Sequence, residues 1–186
     1  MKTILFTLLL TAAFLLGCAD TTVSPPDPES KSYELIKLPP KSGLSVETAY
    51  SQTVTINGEV GGEIEIEESY FSAGGQTVEI YAQIIVPPNA FTGDLPITMT
   101  VDDEYAAVWF TPHIVFNNPV KLKMSFTGID LDELMLVSWK YDLLYIDDDG
   151  TTEVVGHDEV QVIESQGAIR VHNTYLNHFS RYSFTR

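Results

Sequence analysis

Apolar and polar residues alternate along most of the chain beyond residue 44. The alternating segments lie at residues 53–57, 63–67, 77–86, 96–102, 120–126, 134–146, 160–164 and 168–173. A period of two puts successive side chains on opposite faces of a β-strand. Glycine, proline, asparagine and aspartate separate the segments, as they do in turns. Eight or more short strands at this spacing predict an all-β fold, a sandwich or barrel, and we take the antiparallel β-sandwich as the expectation.

The segment at residues 120–126 shows how the alternation assigns faces. Its apolar side chains fall on every second residue from Val120 to Phe126, and Lys121 and Lys123 fall between them. A shift of one residue in pairing would bury both lysines, so the register of this strand is strongly determined. No segment beyond the first residues keeps a period of 3.6, and residues 129–134 favour one helical turn at most.

The first residues are different in kind. Lys2 precedes an almost unbroken apolar run at residues 4–16, which is shorter than the roughly 20 residues of a membrane-spanning helix. This pattern predicts a signal peptide over residues 1–17. The run ends in "LLGC", and Cys18 is the only cysteine of the chain, so it has no partner for an internal disulfide.

The sequence "LLGC" resembles the lipobox of bacterial lipoproteins. In that family the signal is cut before the cysteine, whose thiol then carries diacylglycerol and whose new amino group is acylated. The resemblance therefore implies lipidation of Cys18 and a stable membrane anchor, since several acyl chains on one residue hold a protein firmly. The alternative is a chance cysteine in a signal-like segment. Because Ala19, and not aspartate, follows the cysteine, enteric-type sorting implies the outer membrane.

Residues 18–43 start with a stretch rich in proline, serine, threonine and acids. Such a stretch buries too little apolar surface to order itself and predicts a flexible tether. Residues 33–38, "YELIKL", are the exception and favour an added edge strand. We expect the sandwich itself to span residues 44–186.

The charge of the chain narrows the range of partners. Its formal net charge is −16, and removal of residues 1–17 takes away Lys2 and no acid, which leaves 9 basic and 26 acidic residues and a charge of −17. Such a surface repels phosphate backbones, so we expect no nucleic-acid partner. It favours solubility, divalent cations or a basic partner, and acidic solvation alone is an equal alternative.

Residues 61–186 resemble the ZU-five domain of zonula-occludens scaffolds, netrin receptors of the uncoordinated class and ankyrins. The resemblance rests on Gly61-Gly62, on "VPPNA" with Asn89 where the family has glycine, and on "FNNP" from Phe116. It continues through "LDELMLVSWKYD" to the closing "HFS". The resemblance implies a β-sandwich that binds other proteins. Pro87 and Pro88 have a plain architectural role, because they lack an N–H and so end a strand.

The closing "HFS" carries a chemical hypothesis, because some relatives cut their own backbone between these Phe and Ser residues. Here the resemblance makes Ser180 the nucleophile and His178 the base, with the scissile bond between Phe179 and Ser180. In one extended strand, His178 and Ser180 would share a face with Tyr182. Their side chains would then be close enough for proton transfer. An ordinary hydrogen-bonded pair on a strand is the alternative.

Other candidate sites are less specific. The consecutive Asp147, Asp148 and Asp149 suit a hairpin turn better than a calcium loop, whose acids alternate. Four scattered histidines and one cysteine do not form a zinc motif, and no "GxSxG" sequence marks a hydrolase. Four aromatic residues could form a sugar-binding face or pack in the core, and we favour the core; they are Tyr81, Trp109, Trp139 and Tyr141.

Together these features predict a lipid-anchored envelope protein, in the outer membrane, that presents a non-catalytic binding or assembly module without a cofactor. Its expected partners are the membrane, through Cys18, and an envelope protein. The alternatives are a self-cleaving domain that uses His178 and Ser180, and an adhesion module that binds calcium or carbohydrate.

Overall fold

The computed structural model describes residues 33–43, 49–129, 131, 141–147, 150–158 and 160–186. The predicted signal peptide, the predicted lipidation site Cys18 and most of the predicted tether lie outside these residues. So do Asp148, Asp149 and Trp139, and most of residues 129–134. The alternation at residues 134–140 is outside them as well.

Two antiparallel sheets pack against each other, which confirms the predicted β-sandwich. The strands are β1 Ser51–Asn57, β2 Gly62–Phe71, β3 Thr77–Val86, β4 Asp94–Val101, β5 Ala107–Thr111, β6 Val115–Thr127, β7 Asp142–Ile146, β8 Thr152–Val154, β9 Val160–Ile163, β10 Ala168–His178 and β11 Arg181–Thr185. One sheet has the order β1-β4-β5-β11-β7-β8 and the other β2-β3-β6-β10-β9.

Helical structure is minor in the described part of the chain, where a single 3₁₀ turn, Glu164–Gln166, joins β9 to β10. None of the described segments forms a helix that is long and apolar enough to cross a bilayer.

The core forms between the inner faces of the two sheets, where the alternation predicted it. In β6, Val120, Leu122 and Phe126 are fully buried, and Lys121 and Lys123 lie on the other face. β3 behaves in the same way and ends at Val86, directly before the two prolines, as predicted. Burial of alternate residues from both sheets is what makes the sandwich stable, since a single sheet leaves an apolar face in water.

Residues 33–43 form a strap that runs across one end of the sandwich. The strap bridges Thr185 of β11 through Leu35 and then bridges Ser72, beyond β2, through Lys41, so it contacts both sheets. The composition predicts a tether up to residue 43, and this boundary is wrong, because Ile36 and Leu38 are 1% and 7% exposed and belong to the core. The compact unit begins at Tyr33.

Three described strands have no counterpart among the segments predicted from alternation. β5, Ala107–Thr111, is buried at two consecutive positions, Ala107 and Val108, and so does not alternate regularly, and β8, Thr152–Val154, is exposed throughout. The hairpin predicted around Asp147 is confirmed by pairing of β7 with β8, in which Tyr145 lies opposite Glu153. The third strand, β11, changes the interpretation of the "HFS" sequence.

Candidate functional site

The chain changes sheets at the "HFS" sequence. β10 ends at His178 in the five-stranded sheet, and β11 begins at Arg181 in the six-stranded sheet. The prediction of one continuous strand with His178 and Ser180 on a common face is therefore wrong. Phe179 and Ser180 form a corner between two sheets, where the rule that residues two apart share a face no longer applies.

Phe179 fills the space between the sheets at this corner. Its ring is 2% exposed, stacks on Phe110 with centroids 4.6 Å apart, and meets the edge of Phe116 at the same distance. Its backbone N–H donates to the carbonyl of Ile114 at 2.9 Å, and the carbonyl of Ser180 accepts from the N–H of Phe110 at 3.0 Å. Backbone and ring contacts hold the corner from both sides.

The polar groups at the corner are engaged in structural contacts. The Ser180 hydroxyl, in a residue 1% exposed, donates to the carbonyl of Ile146 at 2.9 Å. The His178 ring packs against Tyr145 with centroids 4.4 Å apart. Within the described chain, no hydrogen bond joins this imidazole to the Ser180 hydroxyl, so the residues proposed as nucleophile and base are not arranged as a pair.

Tyr182 completes the corner. Its hydroxyl donates to the backbone carbonyl of His178 at 2.6 Å, and this bond links the second residue of β11 to the last residue of β10. Burial raises the pKa of Tyr182 well above its ordinary value, and the nearby Tyr145 and Glu153 add to this shift. The hydroxyl therefore stays protonated and serves as a hydrogen-bond donor at neutral pH.

Cleavage at the corner has a direct test. We expect the purified mature chain and its Ser180→Ala variant both to retain residues on each side of the bond between Phe179 and Ser180, as measured by intact mass. The variant loses the hydrogen bond to Ile146 and is expected to be less stable by about 1 kcal/mol. A wild-type mass that lacks residues 180–186, restored to full length by Ser180→Ala, would show self-cleavage instead.

The other candidate groups fall in different places. Tyr141 is buried in the core as predicted. Tyr81 and Trp109 are partly exposed and lie on the outer faces of their sheets, so the core prediction is wrong for these two. Trp139 is outside the described residues. Arg181 binds the carboxylate of Asp102 at 2.6 Å. Among described residues, no group of three or more His, Cys, Asp or Glu side chains is placed to hold a metal ion.

A second candidate site lies on the side of the sandwich where β1 and β2 are the edge strands of their sheets. Within the described chain, β1 pairs along its length with β4 alone, apart from one bridge from Asn57 to Gly61, and β2 pairs along its length with β3 alone. The sequence of β1, "SQTVTIN", contains no charged residue, and that of β2, "GEIEIEESYF", contains four glutamates. Charges on an edge strand prevent pairing with another chain, so β2 is protected and β1 is not.

The backbone groups that β1 presents at its free edge follow from one hydrogen bond. The N–H of Val101 donates to the carbonyl of Tyr50 at 2.8 Å, so in this antiparallel pair Tyr50 and every second residue after it bond to β4. The N–H and carbonyl groups of Ser51, Thr53 and Thr55 consequently point away from β4. Thr55 lies opposite Pro96, which has no N–H, and this agrees with the assignment.

A concavity separates the two edge strands, and we call it the edge cleft. It has a volume of about 510 Å³ and is lined by Ala49, Tyr50, Ser51 and Gln52 on the β1 side and by Glu65, Ile66, Glu67 and Glu68 on the β2 side. Three carboxylates and no basic side chain line it. Among described residues, neither Glu67 nor Glu68 forms an ion pair, and Glu65 accepts hydrogen bonds from Tyr81 and Gln83.

The strap lies beside this side of the sandwich. The hydroxyl of Tyr70, in β2, donates to the carbonyl of Pro39 at 2.7 Å, and the ammonium group of Lys41 lies over the rings of Tyr50 and Tyr70, 4.7 and 5.5 Å from their centroids. Burial, with a smaller contribution from Tyr50, raises the pKa of Tyr70 from 10.0 to about 12. Tyr70 therefore keeps its proton to a higher pH than an exposed tyrosine does.

This shift predicts alkaline destabilisation. Between the unfolded pKa of 10.0 and the folded value of about 12, the unfolded chain releases the Tyr70 proton before the folded chain does, so the free energy of unfolding falls as pH rises. Below pH 10.0 the raised pKa of Tyr70 makes its full contribution to the free energy of unfolding. We expect Tyr70→Phe to lower the free energy of unfolding by about 1 kcal/mol at neutral pH, through the lost hydrogen bond. Above pH 10.0 the free energy of unfolding of this variant is expected to fall less steeply than that of the wild type. Urea denaturation across the alkaline range measures both slopes, and equal slopes would contradict the assignment.

Sequence reasoning missed the edge cleft, although one signal was present. The absence of charge in residues 51–57 is visible in the sequence, but the order of strands, which puts β1 at an edge, depends on pairing between distant segments.

No family model, curated protein or solved structure matches this chain. The resemblance to the ZU-five domain and to bacterial lipoproteins stays a prediction from the residues named above.

Proposed function

We propose that the chain is a lipid-anchored bacterial envelope protein, held at the outer membrane through Cys18, whose β-sandwich binds an envelope partner by adding a strand of that partner to β1. One observation carries the proposal: β1 is an edge strand of seven residues without a single charge, and the outward N–H and carbonyl groups of Ser51, Thr53 and Thr55 have no backbone partner among the described residues.

Strand addition is a known mode of recognition, in which main-chain hydrogen bonds supply affinity and alternate side chains supply specificity. The contrast between the two edges supports it here. β2 carries Glu63, Glu65 and Glu67 on one face and Glu68 on the other, a pattern that disfavours pairing. An unprotected β1 edge beside a protected β2 edge is what a single docking strand requires.

The docking test compares two variants of one residue. Thr53→Pro removes an outward N–H, whereas Thr53→Val keeps that N–H and the β-branched shape; both lose the hydroxyl contact with Thr98. A photo-crosslinking residue at position 55, irradiated in whole cells, is expected to give a defined adduct. We expect Thr53→Pro to reduce its yield about tenfold, the effect of losing ~1.4 kcal/mol of binding, and Thr53→Val to leave it unchanged.

A crosslinking residue that replaces Tyr175 in β10, an inner strand of the five-stranded sheet, measures the background yield of adduct. Equal adducts in the proline and valine variants would show that β1 is not the docking strand.

The anchor has its own test. Labelled palmitate is expected to enter the wild-type protein in cells and not the Cys18→Ala variant. A wild-type chain that takes up no label would remove the membrane part of the proposal and leave the docking test unaffected.

A further inference from the structure

The edge cleft specifies the chemistry of the docking segment. We propose that the segment added to β1 is basic, with lysine or arginine at alternate positions whose side chains enter the edge cleft. This inference rests on the proposed strand addition and names the kind of partner it takes.

The direction of the side chains follows from the sheet. Side chains of a strand added to β1 alternate between the outer face of the six-stranded sheet and the space between the two sheets. The second set points toward the β2 side of the edge cleft, the acidic wall, where Glu68 lies on the inner face of β2 and Glu65 and Glu67 lie on its outer face. Every second residue of the docking segment therefore points toward β2, and Glu68 is the carboxylate on the face that it meets.

Glu68 is the central group of this wall. It pairs in register with Ile80, which is 2% exposed and points into the core, so Glu68 lies on the inner face of β2 although its side chain is exposed. An acid on the inner face of a sandwich is stable only where the sandwich is open. Among described residues it forms no ion pair, and a cation in the edge cleft gives this carboxylate a partner.

Charge also decides between a basic partner and a second copy of this chain. Two β1 strands could pair across a twofold axis, since neither carries a charge. That arrangement would bring together two chains of formal charge −16 and two acidic walls, with no basic residue among those that line the edge cleft. A basic segment instead gains attraction from the acidic wall and from the long-range field of the whole chain.

Synthetic peptides of the seven-residue length of β1 test the inference on the full mature chain. In one peptide lysine alternates with threonine, and in its partner glutamate replaces lysine. We expect the lysine peptide to bind at least ~10-fold more tightly at low salt, and the preference to shrink at ~1 M salt, where charges are screened within about 3 Å. Fluorescence anisotropy of labelled peptides measures both affinities.

Two variants with equal charge change locate the effect. Glu68→Gln is expected to weaken binding of the lysine peptide about threefold, the range of one exposed ion pair. Glu164→Gln removes the same charge beside β9, at the other edge of the five-stranded sheet, and is expected to change little. Circular dichroism and thermal unfolding confirm that both variants fold.

The outcomes separate the two levels of the argument. If Thr53→Pro weakens the binding of both peptides but these bind equally well and Glu68→Gln has no effect, docking at β1 stands and the basic partner is overturned. If Thr53→Pro changes no binding, the proposed function fails as well. A concentration-dependent dimer in analytical ultracentrifugation, lost in Thr53→Pro, would assign the edge to a second copy and overturn the inference.

Discussion

Replacing Phe179 by alanine is expected to lower the free energy of unfolding by about 3–5 kcal/mol, the usual cost of deleting a buried phenylalanine ring. The ring is 2% exposed and contacts Phe110 in the six-stranded sheet and Phe116 in the five-stranded sheet. Its loss therefore opens a cavity where the chain passes from one sheet to the other. Folded domains are typically stable by only about 5–15 kcal/mol, so this single change removes a large share of the total.

Phe71→Ala is the matched control for Phe179→Ala. Phe71 is the same residue type at the end of β2, but 67% of its surface is exposed, and substitutions at such sites usually change stability by less than about 0.5 kcal/mol. Urea denaturation followed by tyrosine and tryptophan fluorescence gives both values. Equal losses for the two variants would mean that Phe179 does not anchor the corner.

Gly128→Ala is expected to be the other strongly destabilising change, with a loss of about 3 kcal/mol from backbone strain and steric overlap together. Gly128 follows β6 with a φ of +77°, a region that residues with a side chain rarely adopt. A Cβ atom at this position would lie 2.1 Å from the carbonyl oxygen of Thr77, at the start of β3. The neighbouring backbone must move, and with it the pairing of β3 with β6.

Gly75→Ala separates the two causes. Gly75 has a φ of +79°, close to that of Gly128, but a Cβ atom there meets nothing within 4 Å. We therefore expect Gly75→Ala to cost about 1 kcal/mol, from backbone strain alone. Thermal unfolding of the two variants under one condition measures the difference, and a Gly128→Ala loss no larger than that of Gly75→Ala would show that the contact with Thr77 is relieved without cost.

Alternation predicted the fold class because it is a local property with a direct physical cause. In β6, each apolar residue from Val120 to Phe126 is buried and each lysine between them is not, so one heptapeptide determines both the strand and its face. β5 escaped prediction for the same reason, since Ala107 and Val108 are both buried and the segment shows no period.

The corner at Phe179 and Ser180 was not predictable from the local pattern. The sequence of β11, residues 181–185, alternates polar and apolar residues, but a sequence pattern does not record which sheet a strand joins. The strap was missed because proline and serine dominate its surroundings, although "YELIKL" contained the signal in the alternation of Ile36 and Leu38. Local composition and non-local packing disagreed there, and packing prevailed.

The strap has a consequence for how the chain can be engineered. Glu34 and Arg186 exchange two backbone hydrogen bonds of 3.0 and 3.1 Å, and their side chains form an ion pair. The two ends of the compact unit are therefore neighbours. A short linker from Arg186 to Tyr33 would close the backbone into a ring. New termini opened at the exposed Gly74-Gly75 turn would then give a circular permutant that keeps every strand pair of both sheets.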